Sequence, residues 1–485
     1  MLAAFAGWAW MGRLVPVADP PSERFSCLSY APFRGDQTPF DPTLVIPYEQ
    51  IEYDLTLLAE RTECVRTYSV DIGLGEVLPI ANRLGMKVML GVWIGWEEHK
   101  NLKELDRAIA LVQRYPETVK ALIVGNEVLL RREQPPEKLI ALIERARAAV
   151  PESVPVTYAD VWEFWRKHPE VSRAVDLMTI HTLPYWEDHP IPIEHAVAHV
   201  GAIARKMQAE FPDKPIVIGE AGWPSAGRMR RGAEPTPVNQ ARFIRELMRL
   251  SENEGIGLNL IEAFDQPWKR LLEGTVGGHW GVYNEDRTPK FPLSGPVSND
   301  PRWLIHFAAG ALLGLALLLP VFMRRRALSV VGWFVAAFAS QAAGVLLVVG
   351  GLAALDATLD TFDALSWGSR WLFAAAAVVL ALIALTRGDQ SRPALPTSLF
   401  ELLSAWRQRR RPHGSRLGAA TGGLRAAVLL TAAVTTLCFL FDARYRDFPV
   451  ALTIVPALAF LAITWMERRH RAALTAKDDL REEKC

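Results

Sequence analysis

Cysteine is scarce in this chain. Its 485 residues hold four, Cys27, Cys64, Cys438 and Cys485, and their spacing matches neither a zinc motif nor a disulfide framework. An excess of charge of one sign is missing too. Lys and Arg number 54 against 53 Asp and Glu, a formal net charge of +1. That leaves no global basic field and speaks against nucleic acid as a partner. No G-x-G-x-x-G follows a first strand, so a doubly wound dinucleotide-binding sheet lacks its main support. No D-x-D pair and no Q-x-x-R-W stretch is present, and these are expected of a processive sugar-nucleotide synthase. His195 and His199 stand i, i+4 on an expected helix, a spacing that suits zinc, but no third ligand is in view. Neither a metal nor a cofactor is expected. The apolar run Leu2–Met11 has no Lys or Arg before it and is too short to span a bilayer.

What is abundant is unevenly placed. Apolar residues make up 50% of the chain and gather after residue 300, which points to a membrane region beside at least one globular domain. Between residues 23 and 264 short β-branched runs alternate with helical stretches. The expected strands are Phe25–Tyr30, Glu63–Tyr68, Lys87–Trp93, Ala121–Glu127, Val154–Asp160, Asp176–His181, Pro215–Glu220 and Leu258–Phe264. Glu137–Val150 and Val238–Asn253 show apolar residues at i, i+3 and i+4. Eight such alternations over roughly 250 residues predict an α/β fold, the (β/α)8 TIM barrel. Cys27 and Cys64 fall on neighbouring strands. Two buried free thiols are expected there, with a disulfide as the alternative.

The expected boundaries are 1–22 for a short apolar segment, read as the remnant of an anchor starting upstream; 23–292 for the barrel; 293–302 for a linker; 303–466 for an α-helical transmembrane bundle; and 467–485 for a charged tail. Five spans are expected, near Trp303–Met323, Val330–Leu355, Trp367–Leu385, Leu424–Phe441 and Phe448–Met466. Arg324–Arg326, the basic loop at 387–423 and the tail carry the positive charge. The other two loops are acidic or mixed. Basic loops stay cytoplasmic. The reading is a multi-pass protein of the cytoplasmic (inner) membrane, with its barrel extracytoplasmic, in the periplasm.

Several expected strands end in reactive side chains: Arg66-Thr67-Tyr68, Gly125-Asn126-Glu127, His181 and Gly219-Glu220. In barrels the site lies at the C-terminal strand ends. Glycoside cleavage needs two carboxylates across one bond, one to protonate the leaving oxygen and one to attack or to activate water. Glu127 and Glu220 end the fourth and seventh strands. Alternation along a strand puts Ile123 and Gly125 on the face of Glu127, and Ile216 and Ile218 on that of Glu220. A lone strand-end Glu is more often a salt-bridge partner, but two of them in G-N-E and G-E-A-G-W-P-S contexts change that balance.

Ile-Val-Gly-Asn-Glu at 123–127 and Gly-Glu-Ala-Gly-Trp-Pro-Ser at 219–225 resemble the two active-site segments of glycoside hydrolase family 17, the β-1,3-glucanase family. The resemblance extends to Val65-Arg66-Thr67-Tyr68, Leu183-Pro184-Tyr185, Ala263-Phe264, Lys269 and Trp280-Gly281-Val282-Tyr283-Asn284. It implies a retaining mechanism with Glu127 as acid/base, at a raised pKa, and Glu220 as nucleophile. It implies that Asn126 binds the sugar 2-hydroxyl. Arg66 and Tyr68, at i and i+2, share a strand face and can both reach the mouth, Arg66 to keep Glu220 ionised, with a buried structural Arg as the alternative, and Tyr68 to donate to the nucleophile or the sugar. Tyr185, Trp186, Trp223 and Trp268 are then candidate sugar platforms, each also readable as core, and Lys269 a substrate-binding residue. Two departures stand out. Gln266 occupies the place of a further Glu in plant members, and a second acidic position is lost near Gly277. Bacterial sequences that join such a domain to membrane helices are linked to β-1,3/1,6-glucan synthesis. The expected partners are therefore a β-glucan, the lipid bilayer and a glucan synthase. Hydrolysis and transglycosylation stay open. A non-catalytic glucan-binding scaffold is the alternative. A transporter is weaker still, because the spans carry few charges.

Overall fold

The computed structural model describes residues 2–323, 328–358, 361–387, 397–413 and 416–441, with single positions between 451 and 465. It divides into two units, Leu14–Asn299, and Met1–Arg13 with Asp300–Cys485.

The first unit is a closed, all-parallel barrel. Its strands are β1 (Leu28–Ser29), β2 (Cys64–Arg66), β3 (Lys87–Val92), β4 (Val119–Asn126), β5 (Val156–Val161), β6 (Met178–His181), β7 (Ile216–Ala221) and β8 (Gly257–Leu260). Each pairs with the next, and β1 closes on β8. Numbering helices along the whole chain, α1 (Leu2–Met11) belongs to the second unit. The barrel carries α2 (Tyr48–Ala59), α3 (Val77–Leu84), α4 (Glu98–Arg114), α5 (Pro136–Ala149), α6 (Trp162–Lys167), α7 (Ile193–Glu210), α8 (Pro237–Glu254) and α9 (Arg270–Glu273). Helix ends follow local chemistry. Thr236 accepts from the Asn239 N–H before Pro237 opens α8, and Gly255, at φ +64°, closes it.

The strands are apolar on both faces because helices cover the outside. Val88, Leu90, Leu122, Val124, Ile180 and Ile218 pack outward in one core with Leu55, Ile80, Leu105, Ile143, Val200 and Leu247. Each such buried aliphatic contributes roughly 1.5–3 kcal/mol. The barrel interior is a smaller cluster of Cys27, Cys64, Met89, Ala121, Ile123 and Ala159, with Val217 against it. The two cysteines are joined by a disulfide, which corrects the expectation of free thiols. Cys27 directly precedes β1, Cys64 opens β2, and their Cα atoms are 4.4 Å apart, within disulfide reach.

Two strands depart from strict alternation. The register shifts on β4 between Ile123 and Asn126 and on β7 between Ile218 and Ala221. On β4 Ile123 does face inward. On β7 Val217 faces the interior while Ile216 and Ile218 join the outer core. The bulge resets the phase so that Glu220 still turns inward, correcting the expected face for Ile216 and Ile218.

The second unit is helical: α1, α10 (Trp303–Met323), α11 (Val330–Ala357), α12 (Thr361–Arg387), α13 (Leu399–Arg407) and α14 (Arg416–Phe441). Phe5 of α1 packs edge-on against Trp303 and Phe307 of α10. Gly314 and Gly344 let α10 and α11 approach closely, since a Cβ on Gly344 would lie 2.2 Å from the Gly310 carbonyl. Among the described residues three helices, Trp303–Met323, Val330–Asp356 and Arg416–Phe441, are long and apolar enough to cross a membrane. In α12 only Ala364–Leu380 forms a shorter apolar stretch. The fifth expected span, Phe448–Met466, and the triplet Arg324–Arg326 lie wholly or largely outside the described residues.

Candidate active site

The C-terminal strand ends bring six of the expected side chains into one buried network. Arg66, fully buried at the end of β2, is its centre. One guanidinium nitrogen, Nη1, donates to Glu220 Oε1 at 3.1 Å and to the Gly219 carbonyl at 2.7 Å. Its Nη2 donates to Asn126 Oδ1. The planar fork thus joins the ends of β2, β4 and β7, a geometry that Lys cannot copy.

Glu220 receives a second donor, the Tyr68 hydroxyl, at 2.9 Å. That hydroxyl also lies 3.0 Å from Ser29 Oγ. Asn259 on β8 ties the same Ser29 to the Gly219 carbonyl. Burial first, then the Glu220 charge, pushes the Tyr68 phenol well above its ordinary value, so it remains a donor.

Glu127 follows β4 in the left-handed region, φ +53°, just after Gly125 at φ +89°. Few non-glycine residues adopt that conformation. Its N–H donates to the Ala159 carbonyl at 2.7 Å, and the next turn is held by the Tyr158 hydroxyl on the Leu129 N–H. Neighbouring β5 therefore fixes the strained turn that presents the carboxyl.

His181, at the end of β6, was recognised in the sequence as an unusual strand end but given no role. It is fully buried between the two carboxylates. Its Nδ1 lies 3.1 Å from Glu127 Oε1 and its Nε2 lies 3.3 Å from Arg66 Nη1. Nδ1 is thus placed to donate to the Glu127 carboxylate. Burial raises the Glu127 carboxyl, but the His181 hydrogen bond and charge, with Arg131 and Arg66, outweigh it. The result lies below the ordinary carboxylate value. This corrects the expected raised pKa, which reckoned with burial and not with His181. One ligand atom from each of Glu127, His181 and Glu220 lies within 4.8 Å of the others. Carboxylates brought this near each other suit direct attack by one member, for which carboxyl groups about 5–5.5 Å apart are typical.

Lys269 is less open than expected. Its ammonium donates to both oxygens of buried Glu262, at 2.8 and 2.7 Å. Burial raises Glu262 to about 7, against the pull of Lys269. Gln266 points into the core, donating to the Ala31 carbonyl and accepting from Trp268 Nε1. The acidic group near Gly277 is supplied instead by Glu273, whose Oε2 lies 3.0 Å from where a Gly277 Cβ would stand. Burial raises the Glu273 carboxyl, Lys269 lowers it, and the charges of Glu127 and Glu220 raise it further. Sequence reasoning missed Glu262 and Glu273. The run Glu262-Ala263-Phe264 beyond β8 was the only signal for the first.

Two expected platforms are corrected. Tyr185 and Trp223 are both fully buried. The Tyr185 hydroxyl donates to the Arg228 carbonyl and Trp223 Nε1 to that of Glu234. Their rings pack on each other and on Trp280 and Phe243, so no sugar can stack on them. Trp186 and Trp268 are half-buried. Phe40 on the loop after β1 and Trp93 and Trp96 on the loop after β3 are exposed aromatics. Arg131 stacks on Trp93 with its guanidinium carbon 4.3 Å from the ring centre, and its Nη1 lies 3.8 Å from Glu127 Oε2.

A parallel barrel with two carboxylates paired across its mouth, one strained and one held by Arg and Tyr, defines a glycoside hydrolase. The family model of the BtgE/BtgC glycoside hydrolase domain matches residues 27–281. The chain belongs to that family, of the family-17 type. It is 29% identical over 258 residues to a glucan 1,3-beta-glucosidase of Arthroderma benhamiae, covering 50% of this chain and 82% of that one. A glucan 1,3-beta-glucosidase of Schizosaccharomyces pombe is 28% identical over 255 residues, covering 50% and 79%. Among solved structures, an endo-laminarinase from Formosa Hel1_33_131 shares the fold with TM-score 0.50 and 22% identity, over 56% of this chain and 85% of that one.

Proposed function

We propose that the chain is a retaining β-1,3-glucan-active enzyme, stationed in the cytoplasmic membrane with its barrel outside, that transfers glucan segments during glucan synthesis or remodelling. The pairing of Glu127 with Glu220 inside the Arg66–Tyr68–His181 network carries the reading. Ionised Glu220 attacks the anomeric carbon. The bond to the leaving sugar breaks and its electron pair stays with the glycosidic oxygen, which takes the proton of Glu127. Glu127 then withdraws a proton from the incoming hydroxyl, which displaces Glu220 with net retention. Water as acceptor gives hydrolysis; a glucan hydroxyl gives transfer, and a 6-hydroxyl gives β-1,6 links.

The names of the two fungal relatives support the substrate class. Three candidate spans support a membrane. The buried disulfide supports an oxidising compartment, and the basic loop at 387–423 supports the orientation. The test uses the full chain in lipid nanodiscs with β-1,3-gluco-oligosaccharides, read by mass spectrometry and linkage NMR, with Glu220→Gln as control. Longer or β-1,6-linked products are expected. Shorter products alone would leave a hydrolase. Turnover unchanged in Glu220→Gln would overturn the catalytic assignment in favour of a glucan-binding scaffold.

A further inference from the structure

Helix α13 of the second unit, nine residues long, is too short to span a membrane. In α13, at 3.6 residues per turn, Leu399, Phe400, Leu402, Leu403 and Trp406 fall within one arc of about 160°. Part of that arc faces outward, with Leu403 at 45% and Trp406 at 77% exposure. Ala405, on the other side, is buried. The one acidic residue of α13, Glu401, is taken up by Arg410, whose Nη1 lies 2.6 Å away, and by the His413 N–H at 2.8 Å. Arg407 falls within that arc in the last turn of α13, and Arg409, Arg411 and Arg416 follow it in the chain; all four are exposed.

The depth of α13 follows from its anchor. The Thr397 N–H donates to the Gly418 carbonyl of α14 at 2.8 Å. The Thr397 carbonyl lies 2.2 Å from where a Gly422 Cβ would stand. Gly418 and Gly422 occupy the first turns of α14, and the charge-free stretch of that helix begins after Arg425. At 1.5 Å per residue the anchor sits about 5–10 Å beyond Arg425, which is the depth of a headgroup layer.

We propose that α13 is an interfacial helix lying in the headgroup layer of a negatively charged lipid leaflet. Trp406, Leu403 and their neighbours enter the acyl boundary, and the exposed arginines face anionic headgroups. The proposal rests on the membrane reading of this unit. A free-standing surface helix has no use for an exposed Trp beside Leu, and the exposed arginines select an anionic partner.

The test places a nitroxide on the full chain, with Cys438→Ser and Cys485→Ser, at Trp406→Cys, Arg409→Cys or, inside α14, Leu430→Cys. Nanodiscs contain phosphatidylcholine alone or mixed with phosphatidylglycerol. Oxygen and a water-soluble nickel chelate report depth. The Trp406 label is expected to be oxygen-accessible and nickel-protected, the Arg409 label the reverse. Phosphatidylglycerol should sink the Trp406 label further, and that shift should vanish in a chain carrying Arg407→Gln and Arg411→Gln. A Trp406 label as open to nickel as the Arg409 label in both lipids, with the Leu430 label deep in hydrocarbon, overturns the proposal and leaves the membrane reading intact. A Leu430 label in water overturns both. A Trp406 label shielded from both reagents means a protein partner and overturns it as well.

Discussion

His181 Nδ1 stands 3.1 Å from Glu127 Oε1, and no other hydrogen-bond donor to that carboxyl is seen among the described residues. The hydrogen bond stabilises the ionised form and opposes burial, holding the carboxyl below its ordinary value. Removing it must therefore raise the Glu127 pKa. In kcat/KM the alkaline limb reports the acid that has to be protonated. In His181→Ala that limb should move to higher pH. A pH–rate profile checks this, and an unmoved alkaline limb would show His181 to be only a filler.

Arg66 is a harsher case. Its loss leaves the Glu220 carboxylate buried without its cation and frees Asn126 and Gly219 together. Breaking a buried pair by removing one partner costs about 3–5 kcal/mol. Arg66→Lys should not rescue, because an ammonium cannot fork between β4 and β7. We expect kcat to fall at least about 100-fold in Arg66→Lys, with KM changed far less. Equal rates in wild type and Arg66→Lys would remove Arg66 from the positioning of the nucleophile.

The carboxylates outside the reaction set the pH dependence of stability. Burial raises Glu104 to about 7 and Asp160 to about 6, as it raises Glu262 to about 7. Each folded pKa lies above its unfolded value, so between roughly pH 4.5 and 7 the native state holds more protons than the unfolded one. Stability then falls as pH rises through that window. For Glu104 the rise from 4.5 to about 7 corresponds to about 3 kcal/mol at most. Glu104→Gln keeps an acceptor for the Val70 and Trp93 N–H groups and should flatten the fall in Tm. A profile identical to wild type would mean that Glu104 titrates normally.

Much of this was legible beforehand, and the failures have physical causes. Eight alternations and two strand-end motifs led to the barrel and to Glu127 and Glu220, because polar residues at the ends of apolar strands have few other uses. Side-chain direction on β7 was not legible, since the bulge between Ile218 and Ala221 resets the alternation and leaves no mark in the sequence. The role of His181 depends on what stands beside β6, not on its own neighbours in the chain. Glu273 reaches the site through a short helix beyond β8, a placement that spacing cannot reveal. The disulfide needed both adjacency of β1 and β2 and matched inward phase at Cys27 and Cys64. Opening it with Cys64→Ala should cost about 2–5 kcal/mol. Urea unfolding with and without reductant checks the value, and a reductant-insensitive wild type would rule the bridge out.

Tyr185 and Trp93 separate core from platform. Tyr185 was expected to be a sugar platform and Trp93 only to end a strand, yet Tyr185 is fully buried and Trp93 is 37% exposed. Tyr185→Ala removes a ring packed against Trp186, Trp223 and Trp280 and strands the Arg228 carbonyl it serves. Emptying an aromatic site in a core costs about 3–5 kcal/mol. The variant should unfold at much lower denaturant, while the fraction that folds keeps nearly the wild-type KM. Trp93→Ala removes a ring that touches the core little and faces the mouth beside Arg131 and Glu127. Its unfolding midpoint should hold. Its KM for β-1,3-gluco-oligosaccharides should rise about 5- to 10-fold, the value of one aromatic face lost from about 1–1.5 kcal/mol of stacking. The contrast is the test: if Tyr185→Ala raises KM at unchanged stability, or Trp93→Ala unfolds early at unchanged KM, the mouth of the barrel is lined by the other ring.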